Sequence, residues 1–200
     1  MDWGNSIVFT PHATHQNKFY PVAHFSTIYS DDKVRFLDRP LLASFVGSYA
    51  THIVRKSIAN ILSIRKDCFT YDTGSWHYDK SSEDKIQFQL MYKHTLKNSK
   101  FVLCPLGTGP STIRIWEALS SGSIPIIISD NLKLPSPIAA SLPTVPLSLI
   151  DLLPTLLEHL SDPEYLAKFE LLQQKVYGLH TRLTNNTSLH QPVLNYILNA

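Results

Sequence analysis

Between Ser99 and Asp130 the chain reads SKFVLCPLGTGPSTIRIWEALSSGSIPIIISD, and that order of residues leaves few folds open. Phe101 to Cys104 is an uninterrupted apolar run ended by Pro105, the composition of a strand buried on both faces, as parallel strands are. Gly107 and Gly109 flank Thr108, so the loop after the strand can take positive φ and let a ligand approach its backbone closely. Pro110, Ser111 and Thr112 supply first-turn and N-cap chemistry for a helix, and Gly122 suits its C-terminal stop. Within that helix Ile113, Trp116 and Leu119 recur at helical spacing and face the sheet, which leaves Arg114 and Glu117 together on a second stripe. Ile124 to Ser129 is the next buried strand, so the segment is one βαβ unit. Its open helix N-terminus lies at the carboxyl end of the sheet, where unpaired N–H groups and the helix dipole favour an anion such as phosphate. The spacing matches neither the dinucleotide fingerprint nor a P-loop, whose Gly-Lys-Ser/Thr ending is absent. The plain alternative for Arg114 and Glu117 is an exposed i,i+3 ion pair worth roughly a few tenths of a kcal/mol.

A second unit precedes it. Leu41 to Val46 is a core strand, Gly47-Ser48 its turn, and Thr51 a cap for a helix to about Ile64 with Ile53, Val54, Ile58, Ile61 and Leu62 on the apolar side. Arg55 falls on the other side of that helix. Both helices start at carboxyl ends of neighbouring strands, so their N-termini, with Arg55 and Arg114, can converge on one phosphate group; for Arg55 alone the alternative is a solvated helix residue. Cys68 to Tyr71 is a further strand, followed by the loop Thr73 to His77, whose Trp76 is either a stacking surface for a sugar or base or a half-buried loop aromatic. Ser81 or Ser82 caps the next helix, with Glu83 and Asp84 in its first turn and Lys97 in its last. Beyond Asp130 the chain is proline-rich loop with one edge strand around Thr144 to Leu147. Helices are expected over Ile150 to Leu160, over Pro163 to Tyr177 with Gly178 as stop, and over Pro192 to Leu198. The alternation of strands and helices predicts an α/β, three-layer, Rossmann-like domain with a mainly parallel sheet.

Composition narrows the partners. With 200 residues, 44% hydrophobic and 17% charged, the chain can bury a core and is most economically one domain. Its net charge of +2 is spread without a basic tract, so nothing points to nucleic acid. There is no apolar run of about 18 residues and no charged-then-apolar leader within these residues. Cys68 and Cys104 lie in apolar strand-like runs and read as buried thiols. Two overlapping glycosylation sequons, Asn185 to Thr187 and Asn186 to Ser188, matter only in a secretory compartment. Near the start, Ser6 to Thr10 reads as a short strand; His12 and His15 could share a metal on a helix, but Pro11 and the lack of a third ligand favour a structural or acceptor-side role.

The residue order from Ser99 onward resembles the signature of exostosin-like glycosyltransferases: Ser-Lys-Phe, a strand ending in Cys-Pro, a glycine loop, Arg114, Glu117-Ala118-Leu119, Gly122, Ile124-Pro125 and Ser129-Asp130. Leu42 to Arg55 resembles the strand, Gly47 turn and helix that open the family's donor-binding domain, and Leu134-Pro135 also fits. The resemblance implies that residues 39–200 are the nucleotide-sugar-binding half of a GT-B fold and residues 1–38 the remnant of an interdomain or N-terminal segment. It implies a UDP-sugar donor and transfer of its sugar to a glycan or other hydroxyl acceptor. Glu117 would accept from the ribose hydroxyls, while Gly47, Gly107, Thr108, Gly109, Ser111 and Thr112 hold the diphosphate and Arg55 and Arg114 stabilise the leaving group. No metal or other cofactor is required by such a site, and the catalytic base is not identified. Members of the family are often Golgi or membrane associated. Two departures stand out: Pro105-Leu106-Gly107 replaces the usual Pro-Arg-Gly, and only some forty residues precede the first block. They favour an alternative, a non-catalytic nucleotide-sugar-binding part that needs a separate N-terminal domain or partner chain. A fucosyltransferase-like GDP-sugar enzyme is a further alternative.

Overall fold

Five parallel strands carry the molecule, in the order Cys68–Tyr71, Leu41–Val46, Ser99–Pro105, Ile124–Ile128, Thr144–Val145. The structure is a computed structural model and describes residues 9–17, 19–21, 34–74, 81–135 and 142–184. The strands are β3 (Leu41–Val46), β4 (Cys68–Tyr71), β5 (Ser99–Pro105), β6 (Ile124–Ile128) and β7 (Thr144–Val145), after a small parallel pair, β1 (Phe9–Thr10) and β2 (Tyr20–Pro21). Between and after them come α1 (Ile53–Ser63), α2 (Ser82–Asn98), α3 (Arg114–Ser120), a 3₁₀ segment (Leu147–Leu152), α4 (Leu153–Ser161) and α5 (Pro163–Thr184). This is the mainly parallel, three-layer α/β domain that the alternating pattern predicts.

Alternation along β5 shows how both faces are covered. Phe101 and Leu103 pack with α1 (Val54, Ile58, Leu62) and α4 (Leu153, Leu157, Leu160), whereas Val102 and Cys104 pack with α2 (Tyr92, Leu96) and α3 (Ile115, Trp116, Leu119). Period-two side chains that are apolar on both faces give the continuous hydrophobic strand seen in the sequence. Phe36, ahead of the first core strand, joins the same core edge-on to Phe101 at 5.4 Å.

The amino ends of the strands are tied by one buried cation. Arg39 donates to the carbonyls of Leu96, Ser99, Ser121 and Val34 and to the Ser123 hydroxyl, at 2.8–3.3 Å. Buried carbonyls at helix and strand ends need donors, and one guanidinium with five N–H groups serves several at once. The carboxyl ends are left for other purposes. In the order β4-β3-β5 the chain passes to one side of β3 through α1 and returns to the other through α2, which makes the gap between β3 and β5 the topological switch point where ligands of open α/β sheets bind.

Several local expectations are corrected. The cap of α1 is His52, whose Nδ1 accepts from the Val54 N–H at 3.2 Å; the Thr51 hydroxyl instead donates to the Ser48 carbonyl. Ile53 belongs to no apolar face, being 74% exposed at the helix start. Helix α3 begins only at Arg114, with Ile113 at the N-cap making no side-chain cap bond, so Pro110, Ser111 and Thr112 are loop. All seven residues of α3 are buried, which removes the separation into a packed stripe and a free one. Gly122 does take positive φ (71°) at its end, but Gly178 does not stop α5, which continues to Thr184. The cap of α2 is Ser81, accepting from the Asp84 N–H. The expected loop residues Trp76 and His77, the early part of the Ser6 strand, the sequons and the Pro192 to Leu198 helix lie outside the described residues.

Candidate functional site

Two turns meet at the switch point, the one after β3 at Gly47-Ser48 and the one after β5 from Leu106 to Ile113. Arg55 joins them. Although it sits in the first turn of α1, where a long cation ordinarily reaches solvent, its side chain folds back over the strand ends and is 7% exposed. Nε donates to the Leu106 carbonyl at 2.8 Å, Nη1 to Ser48 at 3.0 Å and Nη2 to Pro105 at 3.3 Å. The solvated reading of Arg55 is thereby overturned, and its first task is to hold the two turns together.

Arg114 approaches from the opposite turn. Its guanidinium carbon stands 5.0 Å from the centroid of the Phe45 ring, and that of Arg55 5.8 Å from the same ring. Arg114 is 8% exposed, its backbone N–H and Nη1 reach the Thr112 hydroxyl at 3.4 Å, and its Nε is buried with no hydrogen-bond partner. The second cation and burial lower the pKa of Arg55 to about 10, burial being the larger cause; Arg55 is still charged at neutral pH. Described ion pairs such as Arg35–Glu170 and Arg65–Asp67 lie elsewhere. The site concentrates positive charge in a poorly solvated place.

The glycines serve this arrangement by lacking a Cβ, not by positive φ, which among described glycines occurs only at Gly74 and Gly122. A Cβ on Gly47 would stand 2.3 Å from Arg114 Nη2, and one on Gly107 would stand 2.9 Å from Arg55 Nη2. Gly109 lies against His12, whose Nδ1 would be 3.4 Å from such a Cβ. His12 reaches the loop because the N-terminal segment is clasped to the chain beyond β6: His15 N–H to Asn131 O at 3.0 Å, Lys133 N–H to Ala13 O at 2.9 Å, and a Thr14–Leu132 bridge. Thr108 is exposed and Ser111 half-buried on the same loop. The charge at this loop comes from guanidinium groups, since a seven-residue helix that starts at Arg114 sums few peptide dipoles.

Glu117 turns toward α2, the neighbouring helix in its own layer. It is 4% exposed and accepts a hydrogen bond from the Tyr92 hydroxyl at 2.6 Å, so the exposed Arg114–Glu117 ion pair does not exist. Tyr92 and Phe45 are the residues that sequence reasoning missed. Phe45 is signalled only by being the next-to-last residue of a strand that ends in a glycine turn, and Tyr92 only by its helical spacing between Phe88 and Leu96. Both cysteines are inert, with burial pushing the Cys104 thiol up to about 12 and Cys68 up to about 11. Among the described residues no group of three or more His, Cys, Asp or Glu is placed to hold a metal ion. Among them, too, no helix is long and apolar enough to cross a membrane.

Residues 3–139 match the Exostosin GT47 domain. The chain is 30% identical over 107 residues to ribitol-5-phosphate xylosyltransferase 1 of Danio rerio, covering 52% of this chain and 24% of that protein. It is 31% identical over 120 residues to the Homo sapiens protein of that name, covering 58% of this chain and 24% of that protein. A shorter stretch of 60 residues is 35% identical to the probable glucuronoxylan glucuronosyltransferase IRX7 of Arabidopsis thaliana, covering 30% of this chain and 13% of that protein. The chain thus spans about a quarter or less of the length of these curated relatives. With more than half of its residues inside the family's domain, and with both glycine turns and both site arginines in that part, the chain belongs to the exostosin GT47 family of glycosyltransferases.

Proposed function

We propose that this chain is the donor-binding part of a glycosyltransferase that takes a nucleotide-sugar, a UDP-sugar, and passes its sugar to an acceptor hydroxyl. The observation that carries this reading is the Arg55–Arg114 pair, two buried cations on one aromatic ring with Arg114 Nε unpartnered. Like charges brought together out of water are tolerated where an anion of two or more charges completes the site, and a diphosphate supplies both charge and planar oxygen pairs. Arg114 would stabilise the charge that develops on the leaving nucleoside diphosphate. Arg55 would act mainly by holding the two turns around it. Glu117 would accept from the ribose hydroxyls, a task that suits a group with acceptors only. The site needs no metal, because guanidinium groups do the electrostatic work. Residues 39–200 are then the donor-binding unit and residues 1–38 the segment that leads into it.

The relatives are named for xylosyl and glucuronosyl transfer, and a sugar of that size range is the donor group proposed here. The base that takes the proton of the acceptor hydroxyl would come from a further domain or a partner chain. A second reading, donor binding without turnover, draws on Leu106, which packs against the core where the family resemblance expects an arginine. Calorimetry with UDP and GDP tests the site: UDP is expected to bind with millimolar or better affinity and GDP more weakly. No heat from either nucleotide overturns the reading. Release of UDP from UDP-xylose or UDP-glucuronate by the purified chain separates turnover from binding alone.

A further inference from the structure

The carboxylate of Glu117 is anchored by a residue from the neighbouring helix. Tyr92, near the middle of α2, donates its hydroxyl to Glu117 Oε2 at 2.6 Å, the length of a charge-assisted O–H···O⁻ bond. Burial, and secondly the carboxylate, push the Tyr92 phenol well above its ordinary range, so it remains the donor. The Tyr92 ring is itself held. Phe88, one turn earlier, stacks on it with centroids 5.9 Å apart and planes 16° from parallel, and Tyr71 at the end of β4 lies 6.4 Å from Phe88. Around them Val46, Cys104 and Trp116 close the cluster at the carboxyl ends of β3 and β5. A glutamate has three side-chain torsions, and one strong bond to a rigid, stacked phenol removes most of that freedom.

We infer that Tyr92 is a positioning residue for nucleoside recognition: it locks the rotamer of Glu117 so that the carboxylate meets the ribose hydroxyls of a nucleoside diphosphate, and so sets the preference for ribose over deoxyribose. This rests on the reading of Glu117 given above. It assigns to α2 a part in the site, and it makes the hydroxyl of Tyr92, not its ring, the group that matters for ligand choice.

The test is the ratio of affinities for UDP and 2′,3′-dideoxy-UDP, measured by calorimetry on the wild-type chain and on Tyr92→Phe, with pyrophosphate as a third ligand. The wild-type chain is expected to prefer UDP. In Tyr92→Phe that preference should fall by about tenfold, the worth of one charge-assisted hydrogen bond, while pyrophosphate affinity holds. Because Tyr92→Phe also leaves a buried carboxylate short of a donor, Phe88→Leu is the second variant; it keeps both hydrogen-bonding groups, loosens the stack and should lower the preference by a smaller factor. Tyr92→Phe added to Glu117→Gln should cost nothing further in UDP affinity. An unchanged UDP to dideoxy-UDP ratio in Tyr92→Phe and Phe88→Leu, with only the urea midpoint lowered, overturns the role of Tyr92. A wild-type chain that binds both nucleotides equally overturns the ribose role of Glu117 and this proposal with it. A wild-type chain that binds neither overturns the site reading itself.

Discussion

A guanidinium taken out of water without a carboxylate beside it is costly, and Arg114 is in that position, its Nε buried without a partner. The Phe45 ring beneath it offsets part of the cost through a cation–π contact of about 1–2 kcal/mol. A structural arginine would be expected to use its donors as Arg55 does, on carbonyls of both turns. Arg114→Ala should therefore weaken UDP binding by roughly 10–100-fold, the range for a charge-assisted hydrogen bond, while the urea midpoint stays or rises. Arg114→Lys should restore only part of the affinity, since an ammonium lacks the planar fork. Unchanged affinity in Arg114→Ala would return this residue to the scaffold. Arg55→Met makes the opposite expectation: it frees three backbone carbonyls at the strand ends, and each buried acceptor left without a donor costs about 1–3 kcal/mol. Both the urea midpoint and UDP affinity should fall together in that variant, and loss of affinity at constant stability would show that Arg55 binds ligand directly.

At the scale of elements, the site depends on where helices begin. Helix α1 is capped by His52 rather than Thr51 because the imidazole Nδ1 reaches the Val54 N–H, a cap that residue statistics rank below threonine. Helix α3 starts late because Pro110 to Thr112 stay in the loop that crosses Arg55 and His12. Further from the site, β4 is fastened to the helical layer by Arg65, which forms a two-pronged pair with Asp67 at 2.8–2.9 Å and also donates to the Ser161 hydroxyl at the end of α4. Arg65 holds the Asp67 carboxyl below its ordinary range. A carboxyl whose folded value is depressed contributes stability that is present above its unfolded pKa, about 4, and is lost as pH falls through the depressed folded value. Asp67→Asn should accordingly cost under about 1 kcal/mol of stability at pH 7 for so exposed a pair, read as a lower urea midpoint, and converge with the wild type in strong acid. A gap between the two that persists undiminished to the lowest pH at which both fold would contradict this assignment.

For the molecule as a whole, the two ends of the sheet have different tasks. The amino ends are closed by Arg39 with the carbonyls of Leu96, Ser99, Ser121 and Val34, and Lys100 adds a bond to the Arg39 carbonyl. The carboxyl ends meet at the switch point and receive the N-terminal segment beside Gly109. Removing the side chain that ties four segments should be felt everywhere, so Arg39→Met is expected to cost about 3–5 kcal/mol, the range for breaking a buried charged network. Thermal unfolding followed by circular dichroism reads this directly. A loss within about 0.5 kcal/mol would mean that water takes over the Arg39 contacts.

The sequence by itself determined the fold class, because apolar runs of four to six residues separated by helical periodicity can bury their surface only as parallel strands between helices. It placed β3 and β4 at Leu41–Val46 and Cys68–Tyr71 as observed, and it singled out Arg55, Arg114, Glu117 and the glycines from their order. What it could not supply was direction. Local spacing left open a solvated Arg55 and an Arg114–Glu117 ion pair beside the phosphate reading, since within one helix those are the available neighbours. Only the tertiary structure brought partners from elsewhere: Phe45 beneath both arginines, the carbonyls of Ser48, Pro105 and Leu106 around Arg55, and Tyr92 on Glu117. Most of those contacts span tens of residues in the chain, and burial in a shared core, which no local pattern encodes, decides which way a long polar side chain turns.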